Sequence, residues 1–241
     1  MLVTGAPVRT GPRRHETAAG PGQVGEQRAA AMSATIQDTP GDARRARRSG
    51  RRPVTTRFEI EHIALEMFSE QGFETTTVDD IAHAAGIGRR TFFRYYASKN
   101  DVPWGAFDDQ LLGMRATFAA LPPDIPILRG IRTAVLEFNR VDPQEQPWHR
   151  RRLQLILNTP ALQAHSTLRY AAWRQVVADY VALRLGEQPS ALAPQSVGHA
   201  CLGVCIAAYE RWLVDDGAVL EDLLDEVFAS LERGWGGADL G

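Results

Sequence analysis

What the chain lacks closes off most functional classes. No apolar run approaches the roughly 18 residues needed to cross a bilayer, and the arginine-bearing start holds no continuous apolar stretch of signal-peptide type, so the expectation is a cytoplasmic protein with no membrane partner. Cysteine occurs only twice. Cys201 and Cys205 stand four apart in a helical stretch, where a bond between them would be badly formed, so no disulfide framework is expected. With His199 they offer three ligands on one helix and no fourth, a poor zinc spacing, and neither a metal nor a cofactor is expected. No segment alternates with period two over strand length, which argues against a sheet, and no internal repeat is visible. Nucleophile–base arrangements, phosphate-cradling glycine loops and paired carboxylates are missing too, leaving an enzyme with little support.

What is present is unevenly distributed. Up to residue 57 the chain carries eleven arginines against four carboxylates, so with a net charge of −2 the remainder holds −9. A basic front on an acidic body suits a protein that meets a polyanion with one end. Residues 1–53 are rich in Gly, Pro, Ala, Thr and Arg without apolar periodicity and cannot offset their chain entropy, which predicts a disordered basic extension. Within it Arg44, Arg45, Arg47, Arg48, Arg51 and Arg52 form a candidate arm for phosphate or minor-groove contact. Met32 offers an alternative start that would leave residues 1–31 outside the working protein.

The next segment is far more informative. Ile60, Ile63, Ala64, Met67 and Phe68 recur at helical spacing between Thr55 and Gln71, and Gly72 stops the run. Thr77 is placed to accept the free amide of Asp80, with Asp79 and Asp80 on the positive end of a helix dipole. Val78, Ile81, Ala82 and Ala85 form the apolar stripe of that short helix, and Gly86 follows as a residue able to take the left-handed conformation. The chain restarts at Gly88 with Phe92 and Tyr96 turned inward, leaving Arg89, Arg90, Thr91, Arg94 and Tyr95 outside. Ser98 and Asp101 repeat the capping pattern and predict the start of a long helix. Helix, tight turn and second helix with a basic outer face is the helix-turn-helix geometry, whose second helix enters the major groove.

These words, FSEQGFETTTVDDIAHAAGIGRRTFFRYYASKND, resemble the DNA-binding domain of the tetracycline-repressor (TetR) family. SKNDVPWGAFD and TPALQAHSTLRYAAWRQVVADYVALR are similar to the subgroup of that family that accompanies mycofactocin biosynthesis. The resemblance implies an all-α homodimer with a three-helix head at 54–98 and an effector-binding and dimerisation domain at 99–236. It also implies double-stranded DNA, as a palindromic operator, for a partner. Carried over by position, Arg89, Arg90, Thr91 and Tyr95 match recognition-helix residues, Thr77 a phosphate contact, and Lys99, the sole lysine of the chain, a backbone contact. Arg57 and Arg94 are added as DNA-facing cations. Gly88 and Phe93 depart from the family's usual hydroxyl-bearing residues.

The body reads as helices throughout. Trp104, Phe107, Leu111, Met114 and Phe118 step along one face, as core or as pocket lining, and with Trp173 and Tyr180 they offer an aromatic wall. His149, Arg150, Arg151 and Arg152 form a positive cluster, readable as an exposed face or as a mouth for an anionic group. Together these suggest an amphiphilic effector, a long-chain acyl-coenzyme A being the specific expectation. Gly198, Ala200, Gly203 and Ala207 would let another helix come close, and the dimer interface is expected at Cys201, Val204 and Ala208 with the stripe Leu220, Leu223, Leu224, Val227, Phe228 and Leu231. The function expected is a ligand-released repressor. An effector-independent DNA-binding dimer and an activator are the alternatives.

Overall fold

The computed structural model describes residues 56–234, and the basic extension with its arginine arm lies outside them. Among the described residues every regular element is helical. The first, α1 (Arg57–Gln71), begins at a capping box in which the Thr56 hydroxyl accepts the Glu59 amide and the Glu59 carboxylate returns to the Thr56 amide. It ends at Gly72, whose φ of 91° few other residues tolerate. Helix α2 (Val78–Ala84) starts at the Thr77–Asp80 box. It closes in a Schellman arrangement, the Ile87 amide donating to Ala82 at 2.9 Å and the Gly86 amide to His83 at 3.0 Å, with Gly86 left-handed. Helix α3 (Arg89–Tyr95) follows from Gly88 with no side-chain cap.

The expected long helix from Ser98 does not form. A 3-10 segment, Lys99–Trp104, comes first, containing Pro103 and ending at Gly105 with φ 48°. Proline removes an amide donor and a positive φ breaks the helical repeat, so α4 starts only at Phe107 and runs to Ala120. Ser98 does meet Asp101, but side chain to side chain, its hydroxyl donating at 2.8 Å. Beyond it lie α5 (Ile127–Phe138), α6 (Gln146–Asn158), α7 (Pro160–Leu185), α8 (Leu192–Val214) and α9 (Leu220–Arg233). Pro160 opens the longest of these and left-handed Gly186 ends it.

Two apolar cores result. The smaller packs Ile60, Phe68, Phe73, Ile81, Phe92 and Tyr96 of the head with Val102 and with Leu162 of α7, so the packing runs across residue 98 without a seam. The larger fills the body between α4, α5, α7, α8 and α9. Part of the stripe expected at the dimer interface belongs to it: Cys201, Ala208, Leu220, Leu224 and Phe228 are buried within the single chain. Periodicity marks an apolar face but does not say which helix covers it, and here the chain covers its own. Val204, Leu223, Val227 and Leu231 lie half-buried at the edge of this core.

Candidate nucleic-acid interface and effector cavity

Helix α3 owes its position to Phe92, fully buried, and to Tyr96, whose hydroxyl donates to the Arg57 carbonyl at 3.1 Å. With that face sunk in the head, Arg89, Arg90, Phe93 and Arg94 stand exposed, and Thr91 and Tyr95 half so. Arg90, Thr91, Phe93 and Arg94 line one shallow depression. Arg89 reaches Asp79 at 2.6 Å and lies over the Phe93 ring, an exposed pairing worth little in water. Arg94 covers the Tyr95 ring. Arg90 has no ion-pair partner among the described residues. Arg57, at the first turn of α1, sits over the Tyr96 ring. Exposed Thr77 spends its hydroxyl proton on Asp80 at 2.6 Å, and that bond holds the Asp80 carboxyl below its ordinary pKa. Phe93, nearly half exposed, stands on the same face, where an apolar ring can meet a thymine methyl; in the sequence it counted only as a missing phenolic group.

Lys99 does not join this face. Its ammonium donates to the carbonyls of Phe73 at 2.8 Å, Thr76 at 3.2 Å and Glu74 at 3.3 Å, and lies over the Phe73 ring. An ammonium carries three protons, and all three are used in tying the α1–α2 loop. In this arrangement the ammonium serves the loop rather than the phosphate expected from the sequence.

The body encloses a cavity lined by Trp104, Phe107, Phe138, Leu153, Trp173 and Tyr170, with Gln110, Asn139, His149, Arg152 and Tyr209 as its polar wall. Phe118 and Tyr180 stack on each other at 4.2 Å and line a separate open cleft beside Arg115 and Arg184. Leu111 is buried in the core and borders neither. The expected aromatic wall is therefore divided between two places.

The three arginines diverge as well, as consecutive residues about 100° apart on a helix must. Arg150 turns to Asp216 at 2.8 Å and to the Trp212 ring. Arg151 is exposed over the Trp148 ring. Arg152 alone reaches the cavity, and it is bound to Glu61 of α1 through both Nε, at 3.0 Å, and Nη2. They form no common mouth.

Glu61 is a residue the sequence reading passed over. It is 4% exposed, and Gly105 packs against it so closely that a Cβ there would lie 2.7 Å from its carboxylate. Beside it His62 stacks on Trp148 and meets Glu145 at 3.1 Å, so α1 and α6 share a polar seam. His149 sits where that seam opens onto the cavity. Burial, with the Arg152 charge adding to it, depresses its pKa to about 4. Cys201 and Cys205 are deep in the core, burial raising the first thiol to about 12, while His199 is exposed on the other side of α8.

With this geometry in place, comparison with known proteins is direct. Residues 62–102 match the bacterial regulatory proteins of the tetR family, and residues 125–236 match the MftR C-terminal domain. The chain is 45% identical over 190 residues to the mycofactocin biosynthesis transcriptional regulator MftR of Mycobacterium tuberculosis, covering 77% of this chain and 96% of that one. It is 33% identical over 137 residues to the helix-turn-helix regulator TcmR of Streptomyces glaucescens, covering 54% and 61%. Among solved structures, a TetR-family regulator of Syntrophomonas wolfei aligns with TM-score 0.57 at 14% identity, over 77% of this chain and 97% of that one. The fatty acid degradation regulator FadR of Bacillus halodurans aligns with TM-score 0.55 at 16% identity, over 76% and 100%, and these two establish the fold. The chain belongs to the TetR family of DNA-binding transcriptional regulators, and its body is that of the MftR branch.

Proposed function

We propose that this regulator is a homodimeric repressor released from a palindromic operator by a small effector bound between α4, α6, α7 and α8. The observation that carries the reading is the position of Arg152, which lines the cavity and at the same time holds the buried Glu61 of the head's first helix. A ligand that moves Arg152 acts on α1 directly and shifts the head by its differential affinity for two arrangements. About 2.7 kcal/mol of such coupling corresponds to a hundredfold loss of DNA affinity.

The reading assigns operator contact to Arg89, Arg90, Thr91, Phe93, Arg94 and Tyr95, with Arg57 and Thr77 on phosphates. It assigns self-association to the outer faces of α8 and α9, where Ala200, Gly203, Ala207 and Val214 are exposed beside half-buried Leu223, Val227 and Leu231. Leu224, buried in the core of the single chain, is left out of that interface. A long-chain acyl-coenzyme A requires both a cationic mouth and a wide bundle. Arg150 and Arg151 point elsewhere, and the cavity measures about 70 Å³, so in this conformation the site favours a compact effector.

Selection of bound sequences from random duplex DNA tests the core of the proposal. The enriched site should be near-palindromic, with half-sites about 34 Å or a multiple of it apart. A reporter carrying that site should be silenced by the chain, and Gly203→Arg with Val227→Arg should yield a monomer by light scattering that no longer binds. Enrichment of a single half-site, or an activated reporter, would replace the dimeric repressor with one of the alternative readings.

A further inference from the structure

Two buried side-chain donors in the cavity wall have no hydrogen-bond partner among the described residues: Nε1 of Trp104 and Nε2 of His149. An indole nitrogen only donates. For His149 the tautomer follows from its neighbour. Nδ1 faces Nη1 of Arg152 at 3.4 Å, and because a guanidinium can only donate, Nδ1 is the acceptor and the ring proton sits on Nε2. Both groups therefore ask for an acceptor, and neither can use a donor.

The surrounding wall narrows the chemistry. His149 is uncharged at neutral pH, held so by burial and by Arg152, and the Arg152 charge is answered by Glu61. A carboxylate would find no free positive charge here, and an ammonium would have to turn away from both of these donors to the amide of exposed Gln110. Tyr209 and Asn139 already satisfy each other at 2.8 Å. Apart from Gln110 the remaining lining is aromatic and aliphatic, and the room of about 70 Å³ is under half of the roughly 150 Å³ that admits a benzene ring, which suits a body no larger than one small ring.

We propose that the effector class is an uncharged, compact apolar molecule bearing a carbonyl-type oxygen that accepts from Trp104 Nε1 and His149 Nε2. This rests on the effector-released reading above but names what that cavity selects. Because His149 also touches Arg152, and Arg152 holds Glu61, an oxygen drawn to the imidazole sits three contacts from the DNA-reading head.

Matched probes test it on the full chain. By calorimetry cyclopentanone should bind about tenfold or more tightly than cyclopentane, the same ring without the oxygen, while cyclopentylamine should bind no better than cyclopentane. Trp104→Phe and His149→Phe should each lose most of the ketone's advantage over the hydrocarbon, both affinities being measured on the same variant. On the unaltered chain, the indole N–H resonance of Trp104 should move with the ketone and not with the hydrocarbon, an observation that needs no variant to fold. Equal affinity for ketone and hydrocarbon, binding of neither, or an advantage that survives both substitutions overturns the proposal. The same titration on selected operator DNA separates the two levels of the reading: a ketone preference without DNA release leaves the site chemistry standing and removes effector release.

Discussion

Helices α3 and α6 each carry three arginines within six residues or fewer, and in one dimension they look alike. In three they are opposites. On α3 the guanidiniums stand outside, Arg90 with no ion-pair partner and Arg89 in an exposed pair that water weakens. On α6 each is committed to the chain itself, to Asp216 and Trp212, to Trp148, or to Glu61. Arg150 and Arg152 are held by carboxylates of other elements while half-buried, and a cation so held is less available to a phosphate than one left in water; Arg151, exposed over Trp148, is the intermediate case. The difference lies less in the arginines than in the carboxylates and rings that other helices bring to them.

The sharpest way to break the contrast is Arg152→Ala, which leaves the Glu61 carboxylate buried and alone. Removal of one partner from such a pair costs about 3–5 kcal/mol, and urea unfolding should show a loss of that size, partly recovered when Glu61→Gln is added. A loss under about 1 kcal/mol would mean that the pair is solvated. Next in size is the acid limb. The folded-state pKa of His149 lies below its unfolded value of about 6.5, so stability is full above pH 6.5 and is lost as pH falls toward about 4. Roughly 3 kcal/mol should disappear across that window, and His149→Phe should flatten this part of the profile.

On DNA the ordering reverses between the helices. Arg90→Ala should lose about 1–3 kcal/mol of discrimination between selected and scrambled duplex, whereas Arg151→Ala should change affinity by less than about 0.5 kcal/mol. Fluorescence anisotropy with both duplexes decides, and equal effects would erase the distinction drawn here. Smallest of all is the expected null for Lys99. Lys99→Ala should lower the unfolding midpoint yet leave the slope of log affinity against log salt unchanged, because no phosphate contact is lost. A slope reduced by about one would return that lysine to the DNA face.

What the sequence made legible was local. The Thr77–Asp80 box, left-handed Gly86 and the inward pair Phe92 and Tyr96 are settled within a few residues, and α2 and α3 lie where those signals put them. The start of α4 was legible too, but in Pro103 and Gly105, which weaken any helix reading that begins at Ser98. The divergence of Arg150, Arg151 and Arg152 follows from the helical turn alone. Glu61, an acid wedged between the buried Ile60 and Ala64, was a signal of a buried partner, though nothing nearby in the chain identified Arg152, 91 residues away. The cavity was out of reach for the same reason: Trp104, Asn139, His149 and Tyr209 meet only once four helices have packed.

Lys99 has a practical side. As the chain's single lysine, it bears the one ε-amine that an acylating reagent can find, and that amine is occupied by three carbonyls while the α1–α2 loop is closed. Its nucleophilic lone pair is exposed only when the loop opens and the proton leaves. The rate of amine acylation at this position is thus a clock for local opening of the reading head, and it is read on the peptide that carries Lys99, apart from the α-amine.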